Sequence, residues 1–484
     1  MERSAAPGRE TLAGTVRLFA AESLVFPTGI VTAAFLTRSL GAEGYGEYSL
    51  AALVVGWVQW GLVSLLSRST ILSIGGTPDW KPLATRILRI HLAAGLVTGA
   101  IVFLAAPLLA RALGLPSLTS YLRLFAIDVP LFVYAHAHKN ISTGRGAYGR
   151  RAQAVAARWI GRMALIVLLV ALGLSITGAI LGSIGASIIE LLVARRYDRA
   201  SLFARSAASA RPFLTAATPL FLSALALRFV QDADLFALKA LGASSADAGI
   251  YAAARNLSLA ITVFSAAFTP LILATLVRLV GEGALEHARD MARDALRLVL
   301  LMTPFAALAA GAAEGIVRIV FGDPFAPAGP ILSRLIFAGL AVTVVAVGSS
   351  ILIAGGRLDL PARILGVLAP LVIVGHLWAI PRFGAIGAAW VTTGAMGLAA
   401  AAILASIARM WGIAPPLLSV IRAAAVSVAA ATAASAWPAS GAELVLRLAL
   451  LSAGIALAIV ALGEFNRREI RVALGALPGR RGRK

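Results

Sequence analysis

Stretches of about 20 mostly apolar residues, each the length that carries an α-helix across a bilayer, recur almost from one end of this chain to the other. No soluble core absorbs that much apolar sequence. A soluble domain is about 45–50% apolar and about 25% charged, whereas the 484 residues here are 60% apolar and 13% charged. The apolar runs fall at 15–37, 49–72, 88–110, 118–138, 152–174, 177–194, 213–238, 250–277, 298–317, 329–353, 361–380, 384–407, 417–437 and 444–463, which predicts fourteen transmembrane helices. Hydrocarbon offers the backbone no hydrogen-bond partners, so each run has to satisfy its own as helix. The expected fold is an all-α polytopic membrane protein.

A chain this apolar nevertheless carries a formal charge of +21, from 43 Lys and Arg against 22 Asp and Glu. Of the basic residues 28 lie in one alternating set of connecting segments, the set that contains both termini; it includes Lys81, Arg86, Arg89, Lys139, Arg145, Arg150, Arg151, Arg289, Arg357 and a basic tail. The opposite set holds only Arg38, Arg111, Lys239, Arg318 and Arg382. By the positive-inside rule both termini are expected in the cytoplasm and the chain in the cytoplasmic membrane as a multi-pass protein. Most of the charge is thereby read as topology and attraction to anionic membrane lipids. The absence of cysteine excludes disulfides, thiolate metal sites and iron–sulfur clusters.

The chain also repeats itself. After the first span it reads Phe35-Leu-Thr-Arg38-Ser-Leu40-Gly41-Ala42 and then Gly46-Glu-Tyr48; after the seventh it reads Phe236-Ala-Leu-Lys239-Ala-Leu241-Gly242-Ala243 and then Gly249-Ile-Tyr251. Gly144-Arg145 pairs in the same way with Gly356-Arg357, and Gly178-Ala-Ile with Gly384-Ala-Ile. This predicts two pseudo-symmetric six-helix lobes, 1–205 and 206–412, followed by an additional helix pair, 413–463, and a basic tail, 464–484. Parallel repeats of this kind place a substrate path between the halves, around a central cavity near the membrane midplane.

The segments FLTRSLGAEGYGEYSLAA (35–52), LKALGASSADAGIYAAA (238–254), FGDPFAPAGPIL (321–332) and FGAIGAAWVTT (383–393) resemble those of bacterial polysaccharide, or O-antigen, flippases of the Wzx type. These belong to the multidrug/oligosaccharidyl-lipid/polysaccharide (MOP) exporter superfamily. The resemblance implies alternating access and movement of an undecaprenyl-pyrophosphate-linked oligosaccharide, the polysaccharide repeat unit, from the inner to the outer leaflet. Polysaccharide polymerase and glycosyltransferases would be candidate partners. It implies no enzyme activity and no cofactor.

Ten arginines fall inside spans, each costing about 2.5–3.5 kcal/mol at a lipid-facing helix centre: Arg17, Arg68, Arg123, Arg158, Arg162, Arg228, Arg255, Arg334, Arg422 and Arg447. Arg68, Arg334, Arg422 and Arg447 lie near span ends and are expected to snorkel to the interface. The deeper ones, Arg17, Arg123, Arg158, Arg162, Arg228 and Arg255 together with Asn256, are the candidate substrate-binding wall, because a guanidinium fork matches phosphate oxygens and does not lose its charge. Each taken singly can equally be half of an ion pair that fixes helix packing. Arg158 and Arg162, however, share a face with no acid in sequence reach. Glu22, Asp128, Asp232 and Asp234 are candidate ion- or proton-coupling residues, with Glu190 a further intramembrane acid. Pro27 and Pro219, in the opening spans of the two halves, are candidate hinges.

Other signals fail on context. Gly144-Arg-Gly-Ala-Tyr-Gly149 spells a dinucleotide fingerprint but has no preceding strand, so it reads as a turn. His136 and His138 project to different sides of one helix, and no metal site is expected. No P-loop occurs. The basic tail lacks interleaved aromatics, so no nucleic acid is expected as a partner. A multidrug or metabolite exporter on the same scaffold is the alternative reading, one that a neutral or acidic cavity would favour. A membrane-embedded transferase would need an acid/base or metal constellation, which the sequence does not offer.

Overall fold

The computed structural model describes residues 14, 16–75, 77, 79–197, 202, 218–414, 416–436 and 440–464, and these contain helices and short connections without a strand. Among them nine helices are long and apolar enough to cross a membrane. Three run for 60, 50 and 53 residues, Val16–Gly75, Tyr148–Tyr197 and Asp359–Trp411. Straight, at ~1.5 Å per residue, each would exceed twice the ~30 Å hydrocarbon core. Each instead breaks at a glycine, at Gly41 (φ 67°, ψ −176°), Gly173 (φ 89°, ψ 5°) and Gly384 (φ 56°, ψ −138°). A side chain at these positive φ values would collide with its own backbone, so glycine is what lets a continuous helical run double back.

We number the helices α1 (Val16–Gly75, two arms about Gly41), α2 (Trp80–Ala112), α3 (Leu118–Phe125), α4 (Asp128–Gly144), α5 (Tyr148–Leu169), α6 (Ser175–Tyr197), α7 (Thr218–Ala240), α8 (Ser245–Ser258), α9 (Thr262–Gly281), α10 (Leu285–Leu300), α11 (Thr303–Gly311), α12 (Ala313–Phe321), α13 (Ala328–Ala354), α14 (Asp359–Trp411, two arms about Gly384), α15 (Leu417–Ala436) and α16 (Gly441–Ala461). With each arm counted separately, the fourteen apolar runs all fall on helix within the described residues. The polytopic all-α fold read from the sequence is the fold observed. Small residues set the closest approaches, as expected in lipid, where packing replaces the hydrophobic effect. Gly95 and Gly99 of α2 face Pro130 and Ala126, and Gly178 and Gly182 of α6 face Leu169 and Ile166 of α5.

The cores divide unevenly between the two ends of the bundle. One end, called the basic end below, carries the connections with Lys81, Arg145, Arg289 and Arg357. At the opposite end a single buried cluster draws on both halves of the chain, joining Leu36, Tyr45, Leu50, Leu122 and Ile180 to Leu238, Tyr251, Phe321, Phe325 and Ile380. Toward the basic end the halves have separate cores. One is built on Leu66, Ile87, Leu88 and Ile141, the other on Leu276, Leu296, Ile351 and Ile407. The bundle is therefore joined at one end and divided at the other.

The last helix pair is held to α10 and α11 by packing and by one acid. Glu464, just beyond α16, is buried; it accepts from Ser419 Oγ at 2.8 Å and Arg422 at 3.1 Å, and lies 3.8 Å from Arg297 Nε. Arg422 is thus paired as well as near a span end. Arg447 does not snorkel. It is 7% exposed and donates to Ala434 O at 2.9 Å and to Ala433 O, carbonyls in the last turn of α15 that have no intrahelical donor. Arg334 stacks 5.1 Å from the Trp390 ring centre and donates to Pro330 O. The side chain of Arg68, that of Pro219 and the tail after Glu464 lie outside what is described.

Replacing Glu464 by Ala removes the acceptor of Ser419 and of half-buried Arg422, a loss of charge-assisted hydrogen bonds that typically costs about 1.5–3 kcal/mol. The expected outcome is a clear loss of thermal stability in detergent, measured by the unfolding midpoint, and a smaller one for Glu464→Gln, which keeps the hydrogen bond from Ser419.

Candidate functional site

The two copies of the repeated motif touch. An added methyl on Gly46, in the second arm of α1, would overlap Ser245 O and crowd Gly249 N; one on Gly249, in α8, would overlap Ala42 O and crowd Gly46 N. The contact is reciprocal, and only glycine at both positions allows it. Around it Asn256 Nδ2 donates to Tyr45 Oη at 2.6 Å, the Tyr45 ring meets Phe325 edge-on at 6.1 Å, and Arg38 donates to Ile319 O at 2.8 Å. This seals the non-basic end.

Directly below the seal lies a cavity of about 240 Å³, lined by both arms of α1 and by α5, α7 and α8. Its charged wall consists of Arg162, Arg228 and Arg255, with Asn256, Tyr45 and Tyr48 beside them. Arg228 and Arg255 converge on one carboxylate, Asp232, which is 1% exposed. Asp234 turns to the other side of α7. It accepts from Tyr251 Oη at 2.7 Å and from Leu235 N at 2.7 Å, with Thr392 Oγ1 at 3.4 Å and Arg255 Nε at 3.9 Å. Arg162 donates to Tyr48 Oη at 3.0 Å and Ser183 Oγ at 3.4 Å, so both of its partners are neutral. Among the described residues the cavity lining thus holds three guanidiniums and no carboxylate, with Asp232 and Asp234 behind two of them, and the pocket wall is cationic.

A second cavity of about 390 Å³ shares Ala52, Gly56 and Arg162 with the first. In its wall Gln59 donates to Asp128 at 2.8 Å, Arg158 donates to Ser187 at 2.7 Å and to Glu190 at 3.3 Å, and Lys139 lies 2.6 Å from Glu190. Arg158 also covers the Phe132 ring at 4.4 Å. The expectation that Arg158 lacks an acid holds only along α5: Glu190 reaches it from α6. Among the described residues no group of three or more His, Cys, Asp or Glu could hold a metal.

The family described as polysaccharide biosynthesis protein matches residues 11–273. That is more than half of the chain. The chain belongs to the polysaccharide biosynthesis protein family. A lipid II flippase, MurJ, in an inward closed conformation aligns with a TM-score of 0.75 at 13% identity, covering 95% of this chain and 100% of that one. A mutant of the Vibrio cholerae MATE transporter VcmN gives 0.59 at 15% identity over 84% and 98% of the two chains. A MOP superfamily transporter from Pyrococcus furiosus, described with a binding pocket of reverse polarity, gives 0.57 at 13% over 86% and 96%. These likenesses show the fold. An uncharacterized membrane protein of Methanocaldococcus jannaschii is 32% identical over 94 residues, 19% of this chain and 18% of that protein. The chain thus spans under a fifth of that curated relative.

Within this member of the family, Arg162, Arg228, Arg255 and Asn256 come together around the central cavity, with Asp232 and Asp234 behind them. Arg158 and Asp128 fall in the adjoining cavity. Two candidates are elsewhere. Arg123 is exposed and stacks 5.0 Å from the Phe103 ring centre, because α3 turns Leu118, Leu122 and Phe125 inward and leaves Arg123 on its outer side. Arg17 is exposed and lines a separate cavity of about 1010 Å³ at the basic end with Arg145 and Arg150. Glu22, a candidate coupling residue, lines the adjoining cavity with Asp128 and Arg158 and pairs with Arg151 at 3.2 Å. Sequence reasoning passed over Tyr45 and Gln59 and read Lys139 only as a charge of the basic connections, whereas it is buried against Glu190; Tyr48 and Tyr251 stood in the repeat but were not read as partners of Arg162 and Asp234.

Gly249→Ala is expected to push α8 off α1 and open the sealed end. On the cysteine-free chain, Ser49→Cys in the central cavity provides the reporter. Its labelling by a charged thiol reagent should rise several-fold when Gly249→Ala is added, measured by mass spectrometry of the purified protein.

Proposed function

We propose that this protein moves a lipid-linked oligosaccharide, with an undecaprenyl-pyrophosphate anchor, from the inner to the outer leaflet of the cytoplasmic membrane by alternating access. The observation that carries this is the convergence of Arg162, Arg228 and Arg255 on one cavity, with Asp232 behind Arg228 and Arg255 and only hydroxyl partners on Arg162. A diphosphate offers guanidiniums more charge and more acceptor oxygens than one carboxylate does, so it competes for them on favourable terms. The same wall repels a hydrophobic cation, which speaks against drug export. Family membership and the likeness to flippase and exporter folds agree with transport rather than catalysis.

In this reading the lobes are 1–205 and 206–412, the basic end faces the cytoplasm with both termini, and the sealed end faces outward. The separate cores at the basic end suit a state that loads from the inner leaflet. When the cargo takes Arg228 and Arg255, Asp232 loses its partners inside the bundle and becomes a place for a proton or cation. Asp234, Asp128 and Glu22 are its candidate companions in coupling. Polysaccharide polymerase and glycosyltransferases would act on either side of this step.

Arg255→Gln is the direct test. Loss of a charge-assisted hydrogen bond is worth about 1.5–3 kcal/mol, so transport of lipid-linked saccharide in proteoliposomes is expected to fall by about tenfold or more. Wild-type transport by Arg255→Gln and Arg228→Gln alike would overturn the reading, as would unchanged saccharide flipping alongside altered drug efflux.

A further inference from the structure

We infer that α5 carries an anion relay, Arg151, Arg158 and Arg162, that hands the diphosphate from the basic end to the central cavity, with Glu22 as the group it displaces on entry. The inference rests on the anionic cargo proposed above and adds a binding path that the central cluster does not contain.

The spacing comes first. Residues 151, 158 and 162 are seven and four apart, so on a helix they fall within about 40° of one face, separated by about 10 Å and then about 6 Å along the axis. The cavities follow the same line. All three side chains line the 390 Å³ cavity, and Arg162 also lines the central one with Arg228 and Arg255. At the lower end, Arg150 opens onto the 1010 Å³ basic-end cavity with Arg17 and Arg145. Guanidinium groups therefore succeed one another from the basic end to the seal.

The partners of these arginines are the second argument. A purely structural charge is normally matched by its own acid. Here Arg158 shares Glu190 with Lys139, which lies closer, at 2.6 Å against 3.3 Å. Arg162 has hydroxyl partners, Tyr48 and Ser183, and Asp128, in the same cavity wall, faces Arg158 and Arg162 together without a direct ion pair to either. Arg151 holds Thr143 at 2.9 Å and Glu22 at 3.2 Å, and Glu22 is 47% exposed. An arriving phosphate replaces that loosely held carboxylate one anion for another, so Arg151 never stands unpaired in low dielectric. It then moves on in steps no longer than the spacing of the arginines. Asp128, fixed by Gln59, repels it from the side wall and keeps it on the arginine face.

The test uses purified full-length protein in proteoliposomes with lipid-linked saccharide, following initial rate against substrate concentration. With Arg151→Gln the half-saturating concentration is expected to rise about tenfold while the saturating rate stays within about twofold, the signature of a lost capture site; Arg151→Lys should lie near the parent. The exchanged pair Glu22→Arg with Arg151→Glu should stay impaired, because it makes the first position anionic. Full recovery in that exchanged pair would make the contact a structural ion pair and overturn the relay. So would an unchanged half-saturation in Arg151→Gln while Arg255→Gln is inactive, an outcome that leaves the proposed function standing. Should Arg151→Gln fail to fold, a photo-crosslinking residue at Val155, which lines the same cavity, reads the path directly. Capture of the saccharide lipid supports the relay, and no capture beside a position that does crosslink in the central cavity overturns it.

Discussion

The architecture depends on a contact between two glycines. Gly46 and Gly249 bring the second arm of α1 and α8 so close that each backbone fills the space a methyl would need on the other. In a membrane no hydrophobic effect pulls helices together, so such close approach is what holds them. Because the two glycines are equivalent positions of an internal repeat, the contact is also the place where the halves meet on equal terms. The shared core with Tyr45, Tyr251, Phe321 and Phe325 follows from it, and so does the cavity, which is the space left where helices pinned at one end diverge below.

The chemistry of that space follows from the cost of charge. Arg228 and Arg255 are tolerated because Asp232 bridges them and Asp234 lies 3.9 Å from Arg255, whereas Arg162, with hydroxyl partners alone, leaves the cavity wall short of negative charge. Removing either partner from such an arrangement is expensive, while exchanging one anion for a better one is not. The resting ion network and the proposed binding site are therefore the same atoms. In the proposed function Asp232 holds the site ready and is also what a diphosphate would have to outcompete, which would set its affinity below the maximum and leave the cargo able to depart.

Much of the fold was legible because apolar run length and charge asymmetry report directly on spans and ends. The seal was half legible: Leu-Gly-Ala followed by Gly-x-Tyr stood out twice, but a repeat says that two places are alike and does not say that they touch. Faces were harder. Arg123 and Arg255 look alike in sequence, each a cation in a span, and only the packing of α3 through Leu118, Leu122 and Phe125 turns the first outward. Arg158 looked unpaired because its acid, Glu190, is 32 residues away on the neighbouring helix. Arg447 lay near a span end, and only the proximity of the last carbonyls of α15 kept it buried.

Alternating access requires that the seal be replaceable, and the distribution of cores indicates with what. The basic ends of the halves are each already packed, on Leu88 and Ile141 in one and on Ile351 and Ile407 in the other. They can approach as finished surfaces without repacking. The sealed end, by contrast, is held by the glycine contact, by the core both halves share and by polar bonds such as Asn256 to Tyr45 and Arg38 to Ile319, so opening it requires that shared core to part. The side chains of the central cavity lie on both halves, with Arg162 on one and Arg228 and Arg255 on the other. An anion bound by all three, as proposed, would pull the halves toward each other at mid-depth and oppose their separation at the basic end. In the proposed function, cargo binding and closure of that end would then be one event, driven by the same three charges that would select the cargo.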